Sequence, residues 1–466
     1  MNDQINDQQT TTDTDHPPST PVSTYPAWRT EPEIDGERQQ FLRQRLRIVP
    51  DIQQGIYPFK DVRLSRADVE WLLITYEQGR GPIEWSDPSQ RERQGIDLRG
   101  ANLQHVNLQC LPLACLRGGL TKEEWVTMTL EQRELAGVHL ERADLSNAHL
   151  EGALLRGAFL QGATLRATLL EQAVLFYAHL EQAYLRQAHL EGANLMYARL
   201  EGAYFRKAWL TGADLRHAVS DNATNLEKVT LADKKWGCVL LADVLWDDCN
   251  LAVIDWRYVI PLGDEARARA LPLHDGYVRS FKEKHNYLDT YQSAVRAYRQ
   301  LANAMRAQGM NEEAVPFAYR AQKLQRKVLW RQAVWGDVEV DLLQAERQKG
   351  LWERVWELRR RTLKFGGFFF SCFLDVLSGY GHKPGRSLLI YLLTIAVFAT
   401  CYLVLGRLAP LEALIFSVTA FHGRGFFPGP FALSNPVTAL AALEAVVGLF
   451  IEISFIATFT QRFFGR

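Results

Sequence analysis

The residues of this chain that could do chemistry lie in the stretch SVTAFHGRGFFPGP, residues 417–430. Two glycines flank an arginine there, in the order Gly423, Arg424, Gly425, and His422 comes directly before them. Glycine permits tight turns, arginine carries a permanent positive charge, and histidine titrates near neutral pH. Such a loop can present backbone carbonyl groups and a fixed charge, and the neighbouring elements must hold it in place.

Two apolar segments flank this loop and have the length of membrane-spanning helices. Residues 387–405 carry no charge, and residues 437–460 form a second, longer apolar stretch. Residues 410–421 lie between them and are apolar but too short to cross a bilayer, which predicts a re-entrant half-helix. Only Arg407 and Arg424 lie between the two spans, whereas lysine and arginine are frequent outside them. We therefore expect a multi-pass protein of the plasma membrane with its N-terminal domains and C-terminus in the cytoplasm.

Glu444 and Glu452 are ionisable residues inside the second apolar segment. A carboxylate that faces lipid is costly, so each must face water or pack against protein. Glu452, near the middle of the membrane, would line a water-filled path or gate, or be buried against another helix. Glu444 would line the same path or brace the half-helix.

The longest regular feature of the sequence is a five-residue period. Alanine recurs every five residues from Ala143, and leucine follows two residues after each alanine, with Thr168 and Phe205 as exceptions. The period fits neither an α-helix nor a β-strand. It predicts a solenoid in which four units close a square coil of about 20 residues, with alanine and leucine pointing inward. The register slips by one residue after Ser220.

The period divides the chain into domains. An earlier fragment with the same pattern, residues 96–115, is separated from the main run by a mostly irregular insertion at about 116–136. The predicted organisation is a disordered tail (1–35), a small N-terminal segment (36–95), the solenoid (96–257), a cytoplasmic helical region (264–360), an interfacial helix (365–381) and a two-span domain (384–464) with its re-entrant loop at about 410–430.

Composition excludes several classes of function. The chain has 53 lysines and arginines and 53 aspartates and glutamates, and the outward positions of the repeat mix both signs, so we expect no nucleic-acid partner. The six cysteines form no CxxC pair and are expected to be buried, reduced thiols. No catalytic arrangement, phosphate loop or metal-ligand spacing is visible, so we expect no enzyme, no cofactor and no bound metal.

The five-residue units resemble the pentapeptide-repeat family over residues 96–257. That resemblance implies a right-handed quadrilateral β-helix, used in the family as a scaffold or binding surface. Six outward aromatic residues would form a docking patch or ordinary surface: Phe176, Tyr177, Tyr184, Tyr197, Tyr204 and Trp209.

Residues 384–464 resemble the two-transmembrane pore domain of potassium channels. The stretch LDVLSGYGHKPGRSL before them is similar to a GYGxxP segment that joins pentapeptide repeats to such pores in bacterial proteins. The resemblance implies a selectivity-filter loop with these residues: Thr419, Ala420, Phe421, His422, Gly423, Arg424, Gly425 and Phe426. Gly448 takes the place of a hinge glycine in the inner helix.

This loop departs from the potassium-channel pattern in ways that affect selectivity. Gly423 and Gly425 take the places of the two filter glycines, but Arg424 replaces the tyrosine between them and Phe421 replaces the threonine, which removes a hydroxyl ring. Anion-selective, non-selective cation and poorly selective pores remain open. Arg424 would face the path or pair outward with Glu412.

The sequence therefore predicts a multidomain membrane protein with three parts: a pentapeptide-repeat β-helix, an α-helical linker region and an all-α two-transmembrane pore-loop domain. The expected function is a homotetrameric ion channel in the lipid bilayer that passes inorganic ions. Its cytoplasmic solenoid would serve assembly, gating or binding of a protein partner or ligand. The alternative is a non-conducting, membrane-anchored scaffold whose solenoid binds a protein.

Overall fold

The computed structural model of the protein describes residues 26–271, 281–335, 351–381, 383–423 and 436–463. A small helical segment comes first and a long solenoid follows it. A helical region comes last and contains two long apolar helices.

Two helices close the first end of the solenoid, α1 at Gly36–Leu46 and α2 at Arg66–Gly79. Ser65 caps α2 in a capping box, so the expected N-cap is present. Arg63 forms a parallel bridge with Asn102, which joins this segment to the first coil and covers its open edge.

The last part of the predicted disordered tail, residues 26–35, is ordered in the structure. The backbone N–H groups of Thr30 and Glu31 each donate to the Glu70 carboxylate at 3.0 Å. Glu70 is buried and also accepts a hydrogen bond from Arg66 at 2.7 Å. Residues 26–35 therefore belong to the fold, because a buried carboxylate on α2 holds them; the rest of the predicted tail lies outside the described residues.

The solenoid is built from square coils of four five-residue units. Parallel bridges join equivalent positions on successive coils, as from His139 to Phe159, then to His179 and to Arg199. The repeated alanines and leucines are buried. Each buried leucine contributes about 1.5–3 kcal/mol relative to an exposed one, so the period itself supplies the core. The predicted repeat architecture is confirmed.

The insertion predicted to be mostly irregular at 116–136 is instead helical over much of its length. It contains α3 at Lys122–Thr127 and α4 at Leu130–Ala136. Thr121 and Thr129 each begin a helix with a capping box, in which the residue three positions later bonds back to the cap. This signal is visible in the sequence, as TKEE and TLEQ, and the prediction did not use it.

The register slip after Ser220 is present as a longer coil. The bridge from Tyr204 reaches Asn225, one position further along the chain than the bridges of the preceding coils. A hairpin of two short strands, β1 at Ala232–Asp233 and β2 at Gly237–Cys238, lengthens the next coil further. The coils continue on either side, because the inward positions are kept while the extra residues loop outward.

Three helices close the other end of the solenoid: α5 at Gly263–Ala270, α6 at Phe281–Ala307 and α7 at Asn311–Trp335. The buried leucines of the repeat and the buried faces of α6 and α7 form one continuous hydrophobic cluster. Capping of both ends agrees with the general need of solenoids for terminal elements that cover the open core.

The C-terminal part contains four helices: α8 at Leu351–Ser378, α9 at Pro384–Leu405, α10 at Pro410–Phe421 and α11 at Pro436–Phe463. The sequence predicts a domain boundary between residues 360 and 365, with a separate interfacial helix at 365–381. The structure instead has one continuous helix across that point. Gly366 and Gly367 do not end the helix, and the residues beside them pack on α7, where the Trp330 ring contacts Phe365 and Phe368.

Candidate functional site

The short helix α10 lies against both long apolar helices, α9 and α11. Pro410 occupies its first turn, where the missing N–H of proline removes no hydrogen bond. In the part of the chain that the structure describes, two helices are long and apolar enough to cross a membrane, over Gly385–Leu405 and Pro436–Ile456. The predicted order of span, short helix and span is therefore present as helices.

Glu444 joins α9, α10 and α11 at one buried point. Its side chain is fully buried, and it accepts hydrogen bonds from the Tyr402 hydroxyl at 2.7 Å and the Ser417 hydroxyl at 2.5 Å. The Ser417 oxygen also lies 3.1 Å from the carbonyl oxygen of Ile395. The sequence allows two roles for Glu444, and its contacts fit the role of a brace for the short helix. They do not fit a pore-lining role, because no face of the side chain reaches water within the protomer.

Sequence reasoning missed Tyr402 and Ser417, the partners of Glu444. Both are hydroxyl residues inside otherwise apolar helices, which is the same signal that singled out the glutamates. Sequence separation hid the connection, since the three residues lie on three different helices.

His422 and Glu452 form a second polar contact at the end of α10. The His422 Nδ1 atom meets the Glu452 carboxylate, and its Nε2 atom lies 3.2 Å from the Tyr391 hydroxyl. The His422 and Glu452 side chains are 38% and 34% exposed. This contact therefore lies at the surface of the protomer, where water or another chain can reach it, and it joins the start of the predicted loop to the middle of α11.

Thr419, Ala420 and Phe421 belong to α10 and not to the predicted filter loop. The Thr419 hydroxyl donates to backbone carbonyls one turn earlier, at Phe416 and Ile415. Ala420 and Phe421 are buried against neighbouring helices. The helix continues to Phe421 because its apolar side chains pack inward, so the loop begins only at His422.

Gly423 has a positive φ of 66° and lies two residues after the last residue of α10, Phe421. A glycine in this position is a common way to end a helix, because a side chain is strained there. The glycine thus has a structural reason to be present whether or not the loop conducts ions. Arg424, Gly425 and Phe426 lie outside the described residues.

Gly448 allows α11 to approach the end of α10 closely. A Cβ atom at this position would lie 2.2 Å from the carbonyl oxygen of Phe421. The structure gives this glycine a packing role at a helix crossing, which the expected hinge role did not include.

Asp375 connects α8 to the rest of the helical region. It accepts hydrogen bonds from Arg326 at 2.8 Å and from the Tyr319 hydroxyl at 3.0 Å, both on α7. Burial alone would raise the pKa of Asp375, but these two hydrogen bonds outweigh it and the pKa lies below its usual value. The ionised carboxylate therefore fastens α8 to α7 just before the first apolar helix.

The outward aromatic residues of the solenoid form ordered stacks. Tyr177, Tyr197 and His217 occupy equivalent positions on three successive coils, with ring centroids 4.7 and 4.5 Å apart. Trp125 from α3 stacks on Tyr177 at 5.6 Å and closes one end. Tyr177 and Tyr197 are among the six aromatic residues singled out from the sequence. A third member of that set, Phe176, packs against their rings and against Trp125. We call these five rings the aromatic column.

A family model for pentapeptide repeats matches residues 134–172, 173–212 and 198–228 in eight copies. Most of these residues combine the five-residue period with the parallel bridges between coils. The chain belongs to the pentapeptide-repeat family.

Several solved pentapeptide-repeat proteins are similar to this chain. The chain is 37% identical to a pentapeptide-repeat protein from Nostoc PCC 7120, over 19% of this chain and 72% of that one, with a TM-score of 0.19. It is 32% identical to Rfr23 from Cyanothece 51142, over 31% of this chain and 88% of that one, with a TM-score of 0.13. HetL, a pentapeptide-repeat protein involved in heterocyst differentiation regulation in Nostoc, is 21% identical over 33% of this chain and 73% of that one, with a TM-score of 0.15. No curated protein matches the chain.

Proposed function

We propose that the two apolar helices cross the plasma membrane and that four copies of the chain assemble there around an ion path. In this arrangement the short helix α10 and the loop after it form the narrow part of the path. The pentapeptide-repeat solenoid is a cytoplasmic scaffold that binds a protein partner or links the subunits. The proposed role involves no catalysis.

The Glu444 contact carries this proposal. A short helix that ends inside a membrane must be held by protein, because lipid cannot satisfy its exposed backbone groups. Glu444 holds α10 to both apolar helices through Tyr402 and Ser417. A simple membrane anchor needs two spanning helices and has no use for a third helix fixed between them by a buried carboxylate.

The exposed surface of the apolar helices supports assembly. Only 11% of the first candidate span and 22% of the second is buried within one protomer. The remaining apolar side chains need lipid or further copies of the chain around them. Since His422 and Glu452 lie on this open surface, an assembled form brings their polar groups together from several subunits, next to water.

The proposed path would not use the potassium-filter mechanism. That mechanism needs a ring of threonine hydroxyl groups beside stacked carbonyl groups. Phe421 stands at the corresponding position, is buried in the protomer and carries no hydroxyl group. Selectivity would therefore depend on the charges of Arg424 and of the His422–Glu452 contact.

The test is a reversal potential measured on the full chain in a planar bilayer under a KCl gradient. We expect a current whose reversal lies away from the potassium potential. We expect Arg424→Ala to move the reversal toward the potassium potential and Glu452→Gln to move it toward the chloride potential, because they remove opposite charges. Glu312→Gln, at an exposed position in the first turn of α7 and outside the apolar helices, is the control and should leave the reversal unchanged.

The second candidate is a membrane-anchored scaffold that conducts no ions. The observation in its favour is Gly423, whose positive φ at the end of α10 explains one glycine of the loop without a filter. Crosslinking of the full chain in detergent separates the two. A tetramer with a current supports the ion path, and a monomer or dimer without current supports the scaffold.

A further inference from the structure

Two columns of carboxylate side chains run along the outside of the solenoid. The sequence contains four copies of a His-Leu-Glu motif, at His139, His149, His179 and His189, and each histidine contacts the glutamate two residues later. Because equivalent positions on successive coils stack on one another, the four motifs fall on two separate columns. We define the first column by Glu141, Gln161, Glu181 and Glu201, and the second column by Glu151, Glu171 and Glu191.

The first column contains its own compensating charge. The Arg199 Nε atom lies 3.0 Å from Glu181 and 3.5 Å from Glu201. The second member of the column, Gln161, is neutral. Burial alone would raise the pKa of Glu181, but His179, a backbone N–H and Arg199 outweigh it, and the pKa lies below its usual value. The charge of this column is therefore balanced in part within the protein.

The second column has three glutamates in succession and no arginine. Backbone hydrogen bonds from Gly152 to the Glu171 carbonyl and from Gln172 to the Glu191 carbonyl place the three on neighbouring coils. Trp209 stands where the first column has Arg199, and its ring stacks on His189 at 4.2 Å. Within the described part of the chain, no lysine or arginine forms an ion pair with these three carboxylates.

Several observations show that this second column lacks a positive partner. The Glu151 side chain is only 5% exposed, and its Oε2 atom has no hydrogen-bond partner; the same holds for the Oε2 atom of Glu191, whose side chain is 13% exposed. The Oε2 atoms of Glu141, Glu181 and Glu201 in the first column are also without a hydrogen bond, but there Arg199 pairs with the Glu181 and Glu201 carboxylates. Burial and the charges of Glu151 and Glu191 raise the pKa of Glu171. Buried carboxylate oxygens that accept no hydrogen bond are costly unless a cation binds them.

The geometry points to a divalent-cation site formed by Glu171, His189 and Glu191. One ligand atom from each of the three lies within 4.8 Å of the other two. An ion placed between them would be coordinated by two carboxylate oxygens and one imidazole nitrogen. This donor set suits Zn²⁺ and similar first-row ions. Glu151 lies one coil away and adds negative charge to the column. The spacing of these residues in the sequence does not indicate a site, because the ligands lie on two coils.

Other titratable groups lie around the column. The hydrogen bond to Glu151 raises the pKa of His149, and the charges of Glu84, from the segment before the solenoid, and of Glu171 add to this effect. The Cys115 thiol lies near Glu151, and burial together with the Glu151 charge raises its pKa, which makes it a poor ligand in its protonated form. These groups lie toward the Glu151 end of the column, and the three proposed ligands lie toward the other.

The test is a titration of the metal-free full chain in detergent with Co²⁺, whose visible absorbance reports both binding and ligand type. We expect one tight site per chain without a thiolate charge-transfer band. Glu171→Gln and His189→Gln should each weaken binding at least roughly tenfold, because each removes a ligand. Glu181→Gln, the matched change in the first column, should bind with an affinity within about twofold of the parent, since distant sites act independently.

Thermal unfolding of the same proteins separates loss of the site from loss of the fold. Metal should raise the melting temperature of the parent and of Glu181→Gln, and should not raise that of Glu171→Gln. Without metal, Glu171→Gln should melt no lower than the parent, because it removes one of three neighbouring like charges. Absence of binding, equal loss in Glu181→Gln, or a thiolate band that identifies Cys115 as a ligand would each overturn the proposal.

Discussion

Glu265, on α5, fastens that helix to α6 and α7 at the end of the solenoid. Its carboxylate is fully buried and accepts hydrogen bonds from Arg320 at 2.7 and 3.0 Å and from the Tyr298 hydroxyl at 2.8 Å. Arg269 contributes a further contact at 2.5 Å. Burial alone would raise the pKa of Glu265, but these partners outweigh it and the pKa lies below its usual value.

We expect Glu265→Gln to loosen α6 and α7 from α5 by about 3 kcal/mol. Removal of one partner from a buried charged network costs roughly 3–5 kcal/mol. The lower end applies here because the Arg320 and Arg269 side chains are 28% and 48% exposed and can turn to water. Glu312→Gln, at an exposed position in the first turn of α7, is the matched control.

Hydrogen exchange of the full chain measures this change locally. A loss of about 3 kcal/mol corresponds to roughly a hundredfold faster exchange of the protected amides of α6 and α7. Exchange in the middle of the solenoid, around Leu180, should not change. Equal protection of α6 and α7 in Glu265→Gln and in the control would refute the reasoning.

The pH dependence gives a second test of the same contact. A carboxyl group whose pKa is lowered by folding stabilises the fold above its unfolded pKa, and this stabilisation is lost as pH falls through the folded pKa. The difference in exchange between the parent and Glu265→Gln should therefore be constant at neutral pH and shrink below roughly 4.3, the usual pKa of glutamate. Burial raises the pKa of the neighbouring Asp264 to about 6, but that group titrates in both proteins and cancels in the difference.

Two further predictions concern packing. Gly448→Ala should displace α10 and lower the melting temperature in detergent, because its Cβ atom would lie 2.2 Å from the Phe421 carbonyl oxygen. Gly366→Ala is the control: nothing lies within 4 Å of its Cβ atom, so it should stabilise α8 by up to about 1 kcal/mol. Equal effects of the two substitutions would contradict the packing argument. Leu180→Ala removes a fully buried leucine and should destabilise the solenoid by about 2–5 kcal/mol in denaturant unfolding. Tyr184→Ala, at a ring that is 56% exposed, should change the stability little. Similar losses for both would show that the inward leucines do not form the core.

The period of the repeat is sufficient to predict the solenoid. Each unit places its leucine and alanine inward by the same local geometry, so a one-dimensional pattern determines a three-dimensional coil without knowledge of distant contacts. The slip after Ser220 is readable for the same reason. The lengths and polarity of the C-terminal segments likewise predict two candidate spanning helices and the short helix between them, because hydropathy depends on residues that are neighbours in the chain.

The boundaries of elements are less predictable. The sequence predicts a tail that extends to residue 35, but the buried carboxylate of Glu70 orders its last part. It predicts an interfacial helix that begins at residue 365, but α8 runs through that point, where Phe365 and Phe368 pack on α7. The cysteines, all within the described residues, are not uniformly buried as expected, since Cys249 is buried and Cys110 is exposed. For the tail and for α8, a contact with another element outweighs the local signal.

The sequence by itself thus determined the kinds of element and their order, since these follow from periodicity, hydropathy and capping within short stretches. Only the tertiary structure decided which polar groups meet. Glu444 with Tyr402 and Ser417, and Glu265 with Tyr298 and Arg320, come from separate helices. The carboxylates of the second column come from successive coils. A buried charge is stable only with partners that satisfy it, and those partners are chosen by packing in space and not by distance along the chain.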